Sequence, residues 1–155
     1  MKKSFQKGFT LIEILLVIGI IAGLAAVVVV SLNPVQRFQD AEDSRRLSDI
    51  QSILSATSQY VIDNQGAFPP GVSTSEMQIG TASTGCALTY DSCSANITYC
   101  LDLATPLAPY LKDIPYDPET GSDAKTHYTI KTDSNNIVTV TACDANDATL
   151  SQVSR

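Results

Sequence analysis

Tryptophan is absent from this chain, and histidine occurs once, as His127. No Gly-rich phosphate loop, no Ser-His-Asp pattern and no metal-ligand pair at short spacing can be read in it. A lone histidine in a segment that alternates like a strand reads as a half-buried or exposed strand residue, not as a catalyst. Asp117 and Glu119 lie close together, but Pro118 and Gly121 make that stretch a turn first. The chain is therefore expected not to be an enzyme. Basic residues are also scarce: 10 Lys and Arg stand against 16 Asp and Glu, a net charge of −6. Three of the ten, Lys2, Lys3 and Lys7, precede the first apolar run, and without them the remainder carries −9. Such a body repels nucleic-acid phosphates, so nucleic acid is not an expected partner. The length of 155 residues allows one modest domain rather than two.

What is present is unevenly spread. Most apolar residues lie before Leu32, and the rest of the chain is rich in Ser, Thr, Asp and Asn. From Phe9 to Leu32 the single charge is Glu13. That stretch is about 24 residues, roughly 36 Å as a helix, against a bilayer core of about 30 Å. Lysines before it and acidic residues after it put the N-terminus in the cytoplasm and the body outside. A secretory signal peptide fits poorly, because the run continues through Val27-Val28-Val29-Val30. A plain anchor fits the composition but gains nothing from Glu13, since a carboxylate in a membrane helix carries an insertion cost. Glu13 becomes useful if a positive charge meets it in the apolar layer. Cleavage between Gly8 and Phe9 would create that charge, an α-amino group largely protonated near neutral pH. Glu13 would then stand four residues along, on the helix face of Phe9, able to pair with its own amine or a neighbour's.

The run Lys7-Gly8-Phe9-Thr10-Leu11-Ile12-Glu13 resembles the processing site of type IV prepilins and type II secretion pseudopilins. Four features carry the resemblance: a short basic leader, Gly8 before the cut, Phe9 as first mature residue and Glu13 as the fifth. Thr10 matches the common second mature residue. The resemblance implies that a membrane-embedded prepilin peptidase cuts after Gly8 and methylates the Phe9 amine. It also implies that Phe9, Thr10 and Glu13 guide filament assembly. The expected layout is an α+β, pilin-like fold, with a long N-terminal helix packed on a small antiparallel sheet. Its parts are a leader over 1–8, a transmembrane or filament-core helix over 9–32, its continuation over 33–64 and a globular domain over 65–155.

Within the apolar helix, Gly19 and Gly23 read either as a close-packing face or as a point where the helix loosens. Pro34 disfavours helix at Asn33 and supports the second reading, and tolerated glycines with a simple kink remain a third. Helix resumes beyond Pro34. Arg37, Asp40, Glu42, Asp43, Arg45, Arg46 and Asp49 are expected to be solvated. Leu47, Ile50, Leu54, Thr57 and Val61, with Ile53 and Tyr60, form a core-facing stripe. Asp63-Asn64-Gln65-Gly66 supplies a stop. Gly71 to Gly85 reads as a surface loop, Ile97 to Leu101 as a strand, and Leu103 to Leu111 as a short helix or turn. His127–Thr132 and Ile137–Ala142 read as a hairpin that buries Tyr128, Ile130, Val138 and Val140. About three antiparallel strands are thus expected.

Four cysteines, Cys86, Cys93, Cys100 and Cys143, follow the apolar run. An even count in an exported domain reads as two disulfides, and the Cys-x6-Cys-x6-Cys spacing does not suit zinc. Three pairings are possible. Pilins often staple the end of the sheet to an earlier strand, and that resemblance favours Cys100–Cys143 with Cys86–Cys93. A second resemblance, to the "Leu…Pro-x-Asp-Pro" stretch of major pseudopilins, runs through Leu111 and Pro115-Tyr116-Asp117-Pro118. It implies a rigid turn capped by Asp117. In that family a loop after the sheet binds calcium, but here the tail Asp144-Ala145-Asn146-Asp147 lacks the aromatic-containing loop. No cofactor is expected, calcium being the one considered.

The leading expectation is a structural subunit of a type IV pilus or pilus-like filament. Its partners would be itself, other pilins, a prepilin peptidase/methyltransferase, a pilus or secretion assembly platform and, before assembly, the inner membrane. It would cross the cytoplasmic membrane once and end in a filament on the cell surface. Alternatives are a pseudopilin, a DNA-uptake pilin and a membrane-tethered enzyme or binding domain.

Overall fold

The structure, a computed structural model, describes residues 8–31, 33–90 and 92–155. The expected leader residues 1–7, with Lys2, Lys3 and Lys7, and Leu32 at the expected helix boundary lie outside the described residues. The chain forms two compact units, Met1–Phe38 and Gln39–Arg155.

The first unit is dominated by helix α1, Leu11–Ser31, apolar along its length apart from Glu13 and the terminal Ser31, and without a buried residue. Its length and apolar composition suffice to cross a membrane. Helix α2, Pro34–Asp63, starts on a proline at the position where a missing N–H costs nothing. Asn33 precedes it with φ 41°, a left-handed conformation that α-helix does not contain. The expected single long helix is therefore two helices. The reason is local: Pro34 disfavours right-handed helical backbone at the residue before it.

In the second unit, α2 buries Ile50, Ile53, Leu54 and Thr57, with Leu47 and Tyr60 partly covered. It ends with Gln65 at φ 58° and a hydrogen bond from the Gly66 N–H to the Val61 carbonyl, 2.8 Å, which reaches back five residues and closes the helix end. Strands β1 (Met77–Gln78), β2 (Leu88–Thr89) and β3 (Ser94–Ala95) follow, then the one-turn helix α3 (Ala104–Leu107). Strands β4 (Tyr128–Thr132), β5 (Val138–Ala142) and β6 (Gln152–Ser154) complete the chain. The main sheet is antiparallel in the order β1-β4-β5-β6, and β2-β3 is a separate ribbon. Ile130 faces Met77 on one side and Val140 on the other.

The hairpin buries Tyr128, Ile130, Val138 and Val140, in one core with Ile50, Ile53, Leu54, Leu103 and Leu107. Its turn is held by Asp133, whose carboxylate accepts from the N–H groups of Asn135 and Ile137, both at 2.8 Å. Thr129 faces away from that core, yet it is buried with its hydroxyl 3.5 Å from the Cys93 sulfur. The ribbon β2-β3 therefore covers the other face of β4, around a small cluster of Leu88, Cys93, Ala95 and Cys143.

Three expectations for the body need correction. The segment Gly71–Gly85 is not all loop, because β1 lies in it. Ile97–Leu101 is not a strand. Its hydrogen bonds go irregularly to the 78–86 segment, Thr98 accepting from Cys86 and Leu101 donating to Gln78, with one bridge between Ile79 and Leu101. Asp43 and Arg46 are not solvated: both are buried, Arg46 completely.

Candidate functional site

The N-terminal segment comes first because the sequence argument concentrates there. Gly8, Phe9 and Thr10 are non-helical and exposed, and α1 begins at Leu11. Thr10 and Glu13 cap the helix reciprocally. The Thr10 N–H and hydroxyl both donate to Glu13 Oε2 at 3.0 Å, and the Glu13 N–H donates to Thr10 Oγ1 at 3.3 Å. This is a capping box, a Thr followed three residues later by a Glu. The pattern Thr10-x-x-Glu13 was legible in the sequence, but reading Glu13 only as an ion-pair partner passes over it. The cap fixes Glu13 in the first helical turn, immediately after the Gly8–Phe9 bond. Gly19 and Gly23 lie within regular helix, with no neighbouring atom within 4 Å of where a Cβ would stand. The backbone leaves helical geometry at Asn33, next to Pro34.

The second constellation is inside the body and was not foreseen. The Arg46 guanidinium forks onto Asp117, with Nε to Oδ2 at 2.6 Å and Nη2 to Oδ1 at 3.3 Å. Its Nη1 donates to Asp43 Oδ1 at 2.9 Å, and Nη2 lies 3.5 Å from Glu119 Oε2. Asp117 also accepts from the N–H groups of Glu119 and Thr120, at 2.9 and 3.0 Å, so it caps its own turn as an Asx residue does. That turn needs Gly121, because a Cβ there would stand 2.4 Å from the Asp117 nitrogen. Asp43 accepts from the N–H groups of Asn146 and Asp147, at 3.0 and 2.8 Å. Burial alone would lower the Arg46 pKa, but the bonds from Asp117 and Asp43 outweigh it and raise it. Burial alone would likewise raise the Asp117 pKa, but Arg46 and the Thr120 and Glu119 N–H groups hold it below the usual carboxylate range. Nearby, burial raises the pKa of Asp49, which accepts from the Tyr128 hydroxyl at 2.9 Å.

His127 is half-buried at φ 60°, just before β4. Its Nδ1 lies 2.7 Å from Asp144 Oδ2 and 3.2 Å from the Thr120 hydroxyl, and that hydroxyl also donates to Asp144. Thr, His and Asp thus meet, but not as a nucleophile relay. A relay needs hydroxyl and carboxylate on opposite ring nitrogens. Here both converge on Nδ1, and the hydroxyl proton is directed at the carboxylate.

All four cysteines are paired, Cys86 with Cys100 and Cys93 with Cys143. This corrects the expected Cys86–Cys93 and Cys100–Cys143. The cause is the folding of Ile97–Leu101 against the 78–86 segment, which brings Cys100 beside Cys86 and leaves the ribbon's Cys93 over the end of β5. The tail does not fit calcium. Asp144 is engaged by His127 and Thr120, Asp147 accepts from the Thr149 N–H and hydroxyl, and the Asn146 and Asp147 N–H groups are held by Asp43. Among the described residues no group of metal-ligating side chains converges as a cation site.

Comparison with protein-family models, with curated proteins and with solved structures returns no match.

Proposed function

We propose that this chain is a prepilin, the precursor of a structural subunit of a type IV pilus or pilus-like filament. A prepilin peptidase/methyltransferase cuts after Gly8 and methylates Phe9. The mature chain waits in the inner membrane with α1 spanning it. An assembly platform then extracts it, and α1 packs with copies of itself and with other pilins to form the filament core. The body coats the outside, at the cell surface, and performs no catalysis.

One observation carries this reading. A 21-residue apolar helix without a buried residue follows the Gly8–Phe9 bond, and its first turn holds its single carboxylate, Glu13. A plain anchor would use that carboxylate only as a helix cap, a role that needs no charge. A subunit that moves from lipid into a helix bundle has a use for the charge, because an amine freed at Phe9 is its natural counter-charge. The two disulfides support an exported body.

A second reading, a pseudopilin of a type II secretion system, draws on the Pro115-Tyr116-Asp117-Pro118 turn and its Asp117 cap. The tail's committed carboxylates speak against its calcium-dependent form.

The test is intact mass and N-terminal sequence of the protein recovered from cells, with the sheared surface fraction analysed separately. The expected chain starts at methylated Phe9 and is enriched in the sheared fraction. A chain that starts at Met1 and stays in the membrane refutes the proposal. A cut chain without surface filaments, together with a secretion defect on deletion, selects the pseudopilin reading.

A further inference from the structure

We infer that Arg46 is the built-in cation of the body, and that it does in this chain what a bound divalent ion would do: it neutralises the two buried carboxylates, Asp43 on its own helix and Asp117, through which α2 holds the Asp144–Asp147 loop between β5 and β6 and the 117–120 turn. The inference starts from charge. Asp43 and Asp117 are both buried, and Glu119 approaches the same point from the surface. Carboxylates gathered in a low-dielectric interior repel one another and lose hydration, so they need a cation among them. The guanidinium supplies it, with contacts of 2.6, 2.9 and 3.5 Å to Asp117, Asp43 and Glu119.

Its shape matters as much as its charge. A planar fork reaches two carboxylates in different directions, bidentate on one, as a point charge does not. Nor does it deprotonate, so the clamp is present at every physiological pH.

The carboxylates in turn hold backbone. Asp117 fixes the Glu119 and Thr120 N–H groups, and Asp43 fixes those of Asn146 and Asp147, which lie 103 and 104 residues away in sequence. These amides offset the negative charge that one guanidinium leaves over. Two side chains of α2 thereby act together: Arg46 holds the 117–120 turn through Asp117, and Asp43, neutralised by Arg46, holds the Asp144–Asp147 loop. The loop's carboxylates are themselves engaged, Asp144 by His127 and Thr120 and Asp147 by Thr149. The body's fold is accordingly indifferent to calcium.

The readout is hydrogen exchange on the full chain in detergent micelles, followed at the Glu119, Thr120, Asn146 and Asp147 amides with the β4 and β5 amides as reference. In the wild type those four stay protected to the same extent in chelator and in millimolar calcium. Arg46→Met makes them exchange about a hundredfold faster or more, with the strand amides far less affected. Arg46→Lys keeps the charge but not the fork, and is expected to lose protection at the Asn146 and Asp147 amides first. Chelator-sensitive exchange in the wild type overturns the inference, as does full protection in Arg46→Met. Should Arg46→Met not fold, the chelator arm and Arg46→Lys decide: full protection in Arg46→Lys overturns the assignment to the guanidinium fork.

Discussion

The apolar helix and the body handle carboxylates in opposite ways. In α1 the one acid, Glu13, is held, among the described residues, by its neighbour Thr10, and the apolar side chains around it are exposed. In the body, Asp43 and Asp117 are buried and paired with an arginine 71 residues distant from Asp117. One unit closes its electrostatics within its own fold. The other leaves a carboxylate on an uncovered apolar surface, with a local cap as its interim partner. A unit of the second kind suits an element completed by something outside the chain. That contrast underlies the proposed function, and each prediction below strains one side of it.

The largest effect is expected at Glu13. Glu13→Val should leave a chain that is cut and membrane-bound but absent from the sheared surface fraction. Glu13→Gln sharpens the comparison, because it keeps an acceptor for the Thr10 cap and removes only the charge. If pairing with the Phe9 amine guides docking, Gln fails as Val does. If Glu13 is a helix cap and nothing more, Gln restores filaments, and immunoblots of sheared and membrane fractions tell the two apart.

The next effect lies on the self-sufficient side. Arg46→Met removes one partner of a buried ion pair, and such changes cost about 3–5 kcal/mol. Denaturant unfolding of the full chain in micelles should show a loss of that size. Arg45→Met, one residue away on an exposed side chain 4.0 Å from Asp49, should fall within about 1 kcal/mol of wild type. Equal losses at the two positions would remove the distinction between buried and exposed charge.

A smaller loss is expected from replacing Cys93 and Cys143 together by Ala, about 2–4 kcal/mol from loop closure over 50 residues. This bond alone joins the β2-β3 ribbon covalently to the sheet, whereas Cys86–Cys100 closes within the excursion that carries the ribbon. Peptide-level hydrogen exchange should therefore open the ribbon selectively in the double variant and leave the β4–β5 hairpin protected.

How much of this was legible depended on the range of the forces involved. The apolar α1, the Ile50–Ile53–Leu54–Thr57 stripe and the β4–β5 hairpin follow from periodicity, a local property. Strand β6 was not legible, because Gln152-Val153-Ser154 is three residues with one apolar side chain. Its pairing is dictated by the exposed edge of β5. The disulfide pairing escaped because it rests on an irregular segment, Ile97–Leu101, that spells a strand but lies against 78–86. Arg46 and Asp43 looked solvated because they are charged. Yet 43, 46, 50, 53 and 57 continue one helical face, and the partner that makes burial of charge tolerable, Asp117, is far away in sequence. The capping box was legible and local; it needed only the Thr10-x-x-Glu13 spacing.

The subtlest effect is a stability maximum on the acid side of neutral, to which Asp49 and Asp117 contribute with opposite sign. Asp49 has its folded pKa raised by burial. Such an acid contributes stability that is fully present below its unfolded value, about 3.9, and lost as pH rises through the folded value. Asp117 has its folded pKa lowered by Arg46 and the turn amides. Its contribution is present above the unfolded value and lost as pH falls through the folded one. Acidifying from neutral should thus first relieve Asp49 and then, below about pH 4, release Asp117 from Arg46. Unfolding free energies of the full chain in micelles against pH, compared between wild type and variants, isolate each limb. Asp49→Asn should flatten the difference above pH 4 alone. Asp117→Asn should remove part of the acid loss and start from a lower stability at neutral pH, since Arg46 is left with Asp43 and the exposed Glu119. If Asp117→Asn leaves the acid limb unchanged, the buried pair is not what acid breaks, and the contrast between a self-neutralised body and an externally completed helix loses its electrostatic basis.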